Sequence, residues 1–106
     1  MKSILDDNAY FGLQEIYKAF GSVPRLKILM HLSQCDNCEH SVSDLSRIAG
    51  LSQSATSHQL KELKDKRIIK SRKDGLNIYY SLHDRHIVKM LECGLEHIKG
   101  ENCNHE

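Results

Sequence analysis

Three side chains near the C-terminus, Asp84, His86 and His97, combine types and spacing that could bind a metal ion. Carboxylate oxygen and imidazole nitrogen are donors that Zn²⁺ and Co²⁺ accept. His97 follows His86 by eleven residues, almost three turns, so on one helix the two rings share a face. They would also stand roughly 16 Å apart at about 1.5 Å of rise per residue, whereas zinc–nitrogen bonds are only about 2 Å long. One ion cannot span them within one helix. If that helix pairs antiparallel with its copy in a second chain, residue 86 of one faces residue 97 of the other. Asp84 and His86 then meet the partner's His97, twice, across a twofold axis. The spacing makes sense as a metal site only in a homodimer.

The elements that must position these residues follow from local pattern. Asp84 is placed to cap a last helix running to about residue 99, with Ile87, Leu91, Gly94, Leu95 and Ile98 as its apolar stripe. Ahead of it, segments 68–73 and 76–82 alternate with period 2 and read as a hairpin turned at Asp74-Gly75. Further upstream the period is helical. Leu13, Ile16, Tyr17 and Phe20 mark a helix over about 8–20, and Leu26, Leu29 and Met30 mark one over about 23–33 that Pro24 opens. A short helix capped by Ser41 or Ser43 carries Leu45, Ile48 and Ala49 and closes at Gly50. Ser52 then caps a helix to about residue 66, with Ala55 or Thr56, Leu60 and Leu63 inward. The order α-α-α-α-β-β-α is mainly α with a β-hairpin wing, a single winged helix-turn-helix domain over 1–106 with a polar tail from about 100.

Two short helices joined by Ala49-Gly50-Leu51-Ser52 form a helix-turn-helix, whose second helix enters the major groove of DNA. That helix presents Gln53, Ser54, Ser57, His58 and Lys61, mostly short hydrogen-bonding groups that allow close approach. Gln53 and Gln59 suit base edges, and the serines suit phosphates. Arg72 and Lys73, with Lys70, make the hairpin a wing for the flanking backbone. Charge agrees with this placement. The chain carries +1 overall, yet residues 61–73 hold seven Lys/Arg against two Asp/Glu, between stretches of −1 (residues 1–60) and −3 (residues 74–106). A basic segment in an otherwise acidic chain is a local footprint for phosphate.

No apolar run approaches the roughly 18 residues of a membrane span, and the N-terminus turns acidic too early for a signal peptide. The expectation is a cytoplasmic protein whose four cysteines are reduced thiols. His40 and His83 read as surface histidines. There is no Gly-rich phosphate loop and no Ser/His/Asp or Cys/His set in register, so an enzyme is not expected.

The stretch Leu51-Ser52-Gln53-Ser54-Ala55-Thr56-Ser57-His58-Gln59-Leu60, the wing 75–82 and Asp84-x-His86-x10-His97 together resemble the ArsR–SmtB family of bacterial metal-responsive repressors, over residues 17–98. The resemblance implies a dimeric winged helix that represses metal-resistance genes and leaves its operator when metal binds. It also implies that His97 connects, through its second ring nitrogen, to the backbone near Arg67. Family members that use a thiolate pair before the helix-turn-helix have it where this chain has Ser41 and Ser43, which cannot supply soft ligands. What remains resembles the zinc and cobalt site on the last helix. The family's fourth ligand falls here on Gly100; Glu101, one residue on and still on the same face, is the preferred substitute, with Cys103, His105 or water as others. Two imidazoles with one or two carboxylates suit Zn²⁺ or Co²⁺ better than Cu(I) or Cd²⁺.

Two other readings compete. Cys93 lies on the histidine-bearing face and, paired with Cys35 or Cys38, would make a thiol- or persulfide-sensing repressor of the same fold. A protein-binding or metal-buffering winged-helix dimer would lack DNA affinity altogether.

Overall fold

Every helix begins on a short polar side chain that takes up an otherwise free backbone N–H. Asp6 accepts from Ala9 N, Ser22 from Arg25 N, Ser41 from Asp44 N, Ser52 from Ala55 N and Asp84 from His86 N. These caps open α1 (Asp7–Ala19), α2 (Val23–Leu32), α3 (Val42–Ala49), α4 (Gln53–Asp65) and α5 (Arg85–Lys99). The computed structural model describes residues 5–34 and 38–100. Of the two caps open for α3, it uses Ser41; Ser43 instead receives the Gln53 amide, 3.0 Å away.

Strands β2 (Ile69–Asp74) and β3 (Asn77–Leu82) form the wing, and β1 (His40–Ser41) joins the other edge of β3. β1 pairs antiparallel as His40↔Tyr80 and Ser41↔Tyr79. No alternation announces it, because two residues are too few to show a period. The turn lies one residue later than expected. Asp74 pairs with Asn77, so Gly75-Leu76 is the loop, and Gly75 alone in it has positive φ, 64°. A glycine first and an ordinary residue second is the II′ pattern, which follows strand twist as well as the Asp-Gly form does.

The core lies where α2, α3 and α4 meet the sheet. Ile28, Leu29, Leu45, Leu60, Leu63 and Ile68 are fully buried, each contributing about 1.5–3 kcal/mol by leaving water. The outer helices are less well covered. α5 buries Ile87 and Leu91 of its stripe but leaves Leu95 37% and Ile98 81% exposed. α1 buries only Ala19; Leu13 and Tyr17 of its periodic residues face out, as does Tyr10. No helix of the described residues is long and apolar enough to cross a membrane.

Candidate functional site

α3 stops at Gly50, whose φ of 72° only glycine adopts without strain, and the chain turns into the Ser52 cap of α4. Leu60, Leu63 and Thr56 anchor α4 inward. Gln53, Ser54, Ser57, His58 and Lys61 are all exposed, at positions that share one face of the helix. The five residues of α4 expected to meet DNA therefore stand together. Several already have partners. Lys61 pairs with Asp65 at 3.4 Å, and His58 Nε2 lies 3.4 Å from Glu62 Oε2. Gln59 is not on the open face: it is half-buried, with its amide oxygen accepting from Arg25 Nε. Thr56 Oγ1 is buried with no hydrogen-bond partner among the described residues.

On the wing the two expected cations differ. Arg72 is held by Glu39, with Nε 2.8 Å from Oε2 and Nη2 2.9 Å from Oε1, and its guanidinium lies 5.2 Å over the Tyr79 ring. Ser41 pairs with Tyr79 and Tyr79 with Arg72, so residues 39, 41, 79 and 72 share one face and the arginine reaches across β3. That hydrogen-bonded arginine holds the Glu39 carboxyl below the ordinary range. Lys73 points to the opposite face and makes no ion pair among the described residues.

At the other end of the chain, Asp84 gathers both neighbouring histidines. Its Oδ1 accepts from His86 N at 2.9 Å and lies 3.1 Å from His86 Nδ1, while Oδ2 lies 3.0 Å from His83 Nδ1. The hydrogen bond from His83, then those from His86, hold its carboxyl at about 2. Asp84 is therefore both helix cap and a charged oxygen donor beside His86. His83 is half-buried rather than a plain surface histidine, and its adjacency to Asp84 was the available signal. His40 is also partly buried, its ring tilted against that of His31 with centroids 4.4 Å apart and its Nδ1 3.7 Å from Asp44 Oδ2.

His86 and His97 open onto one shallow groove of about 690 Å³, lined also by Tyr17, Phe20, Met90 and Cys93. The shared face is thus present, with aromatic side chains from α1 and its C-terminal end forming part of its wall. Among the described residues, no three His, Cys, Asp or Glu side chains come close enough in one chain to hold an ion. Glu101, Cys103 and His105 lie outside the described residues. His97 makes no hydrogen bond through its ring among them, so the implied link to Arg67 is not formed in the single chain. Arg67 itself has a φ of 62°, positive for a non-glycine, where the chain leaves α4 for β2.

The cysteines depart from expectation. Cys38 and Cys93 are disulfide-bonded, not reduced thiols. The expectation rests on the compartment, which sets a redox poise; which sulfurs approach each other is decided by tertiary structure. Cys35 lies outside the described residues.

Comparison with known proteins places these features. The model of the bacterial regulatory protein arsR family matches residues 22–71, from α2 into the wing. A transcriptional repressor SmtB homolog of Synechocystis sp. is 33% identical over 87 residues, covering 82% of this chain and 64% of that protein. The chain thus spans a little under two thirds of that relative's length. HTH-type transcriptional regulator NmtR of Mycobacterium tuberculosis is 33% identical over 93 residues, covering 88% of this chain and 75% of that one. The crystal structure of the AntR antimony-specific transcriptional repressor superposes with a TM-score of 0.77 at 28% identity, covering 93% of this chain and 87% of AntR. The similarity runs through the helix-turn-helix and into the wing, and the chain belongs to the ArsR–SmtB family of bacterial transcriptional regulators, not to an enzyme family.

Proposed function

We propose that this chain is a homodimeric repressor, which binds operator DNA through α4 and the wing and is released by Zn²⁺ or Co²⁺ held between paired α5 helices. The observation that carries the reading is the common groove of His86 and His97, with Asp84 hydrogen-bonded to His86. The exposed apolar side chains of α1 and α5, Tyr17 and Ile98 foremost, supply the surface on which a second copy packs. Asp84 and His86 of one protomer and the partner's His97 are the donors, with Glu101 as fourth ligand ahead of Cys103, His105 or water. A bound ion supplies a fixed cross-link between subunits. Without it, the α5 pair is free to set the two α4 helices about 34–36 Å apart, one turn of duplex. Cross-linked α5 helices hold another spacing, and by linkage DNA and metal weaken each other's binding by the same factor.

Mixed dimers test the site. Asp84→Ala and His97→Ala each damage both sites of a homodimer and leave a repressor that zinc does not remove. A heterodimer of the two variants has one site lacking both ligands and one intact. Cobalt absorption, with operator binding followed in parallel, should report one tight site per heterodimer. No tight site in the heterodimer means that the ligands do not cross the subunit boundary.

One observation favours a second reading. Cys93 lines the histidine groove, Cys38 lines a separate cleft beside Asp84 and Val88, and both are disulfide-bonded. A repressor whose DNA affinity follows the oxidation state of these sulfurs would respond to dithiothreitol in metal-free buffer; the metal-responsive one would not.

A further inference from the structure

Arg25 is a residue that no motif singled out, and it ties the recognition helix to α2. Its side chain is only 17% exposed, although it begins in the first turn of α2. Nε donates to Gln59 Oε1, and Nη2 donates to Glu62 Oε1 at 2.7 Å. These partners lie 34 and 37 residues further along the chain, three apart on α4. The main helix packing runs from α2 to α3 and from α3 to α4. The guanidinium spans α2 and α4 directly.

Two chemical consequences follow. A guanidinium has only donors, so the Gln59 amide must turn its oxygen inward. The amide NH2 is then left pointing away from Arg25, without a hydrogen bond among the described residues. Held to α2 in this way, Gln59 is kept off the open face and loses the paired donor–acceptor edge that reads adenine. The second consequence is electrostatic. Glu62 is an anion on the helix that approaches DNA, beside the exposed His58. Arg25 cancels that charge where it would face phosphates.

We infer that Arg25 is a positioning residue for DNA recognition: through Gln59 and Glu62 its fork fixes α4 against α2, and it neutralises Glu62 on the reading helix. The inference rests on the operator-binding reading above. It does not depend on metal.

The test uses the full-length protein, a duplex that the wild type selects from a random-sequence pool, and a scrambled duplex of the same composition. Arg25→Ala should weaken binding to the selected duplex about tenfold or more, the scale of a lost charge-assisted hydrogen bond. The loss should be largest at low salt, because the unpaired Glu62 carboxylate then repels DNA over a longer range. Glu62→Gln alone should change little, and in the Arg25→Ala background it should recover several-fold of the affinity. Arg25→Lys keeps the charge without the fork, and guards against a variant that fails to fold. It should hold its affinity for the scrambled duplex and lose selectivity for the selected one. Additive effects of Arg25→Ala and Glu62→Gln, a salt-independent loss, or full selectivity in Arg25→Lys would overturn the inference. Failure of the wild type to enrich any duplex would instead overturn the operator-binding reading, and this one with it.

Discussion

The two ends of this molecule are finished to different degrees. On the recognition helix, the apolar side chains toward the core are covered and those toward α2 are paired: Leu60 and Leu63 are fully buried, and Gln59 and Glu62 are tied to Arg25. On α5, the inner two residues of the stripe are buried and the outer two are not, while His86 and His97 open onto a groove that Tyr17 and Phe20 help to wall. The difference teaches where a second chain is needed. The reading end is completed by its own chain. The α1–α5 end carries apolar surface and metal donors with no complement among the described residues, and one twofold contact would meet both needs.

The strongest way to break this comparison is to charge the unfinished face. Ile98→Asp would place a carboxylate in the proposed seam, and burial of an unpaired charge is costly enough to weaken the dimer by about a hundredfold or more. Sedimentation should show monomer at concentrations where the wild type is dimeric, and zinc binding should fall with it. A variant that remains dimeric and binds zinc normally would place the seam elsewhere.

The wing sharpens the comparison at the finished end. Removing one cation that meets a phosphate flattens the dependence of log K on log salt by about 0.9. Lys73→Ala should show that change per protomer, since Lys73 has no ion pair among the described residues. Arg72→Ala should show much less, because Glu39 already holds its guanidinium. Equal slopes for the two variants would mean that DNA displaces Glu39.

A smaller effect tests the interior of the reading end. Thr56 carries the one buried side-chain polar atom without a partner among the described residues. Thr56→Val keeps the shape and removes the orphan hydroxyl, so stability should rise by about 1 kcal/mol, read from the urea midpoint. A decrease would show that the hydroxyl has a partner, such as an ordered water.

The smallest effect is a titration. Glu39 is held below its ordinary value of 4.5 by the hydrogen bond from Arg72, with the charge of that arginine adding to it. A depressed carboxyl contributes stability above its unfolded value, and the contribution is lost as pH falls through the folded one. Carboxyl NMR should place Glu39 below 4.5 in the wild type and return it toward that value in Arg72→Ala.

Much of this was readable in one dimension. The caps at Ser52 and Asp84, the Gly50 stop, the buried faces of α3 and α4 and the wing strands all follow from propensity and period within a few residues. So does the common face of His86 and His97, which needs only the pitch of a helix. Two elements resisted that reading. β1 is too short to have a period. α1 has a regular apolar pattern but packs little of it inward, and a pattern says that a face is apolar without saying what covers it.

The sequence alone therefore determined the five helices, the two wing strands and their order, because those depend on neighbours along the chain. Tertiary structure alone decided which long polar side chains are committed to one another. Arg25 reaches Gln59 and Glu62, and Arg72 reaches Glu39 across 33 residues. The structure also has Cys38 and Cys93 each in a disulfide, where the sequence reading had reduced thiols. The reason is physical: a guanidinium bonds whatever the fold brings within a few ångströms, and that distance is set by how helices and strands pack, not by their spacing in the chain.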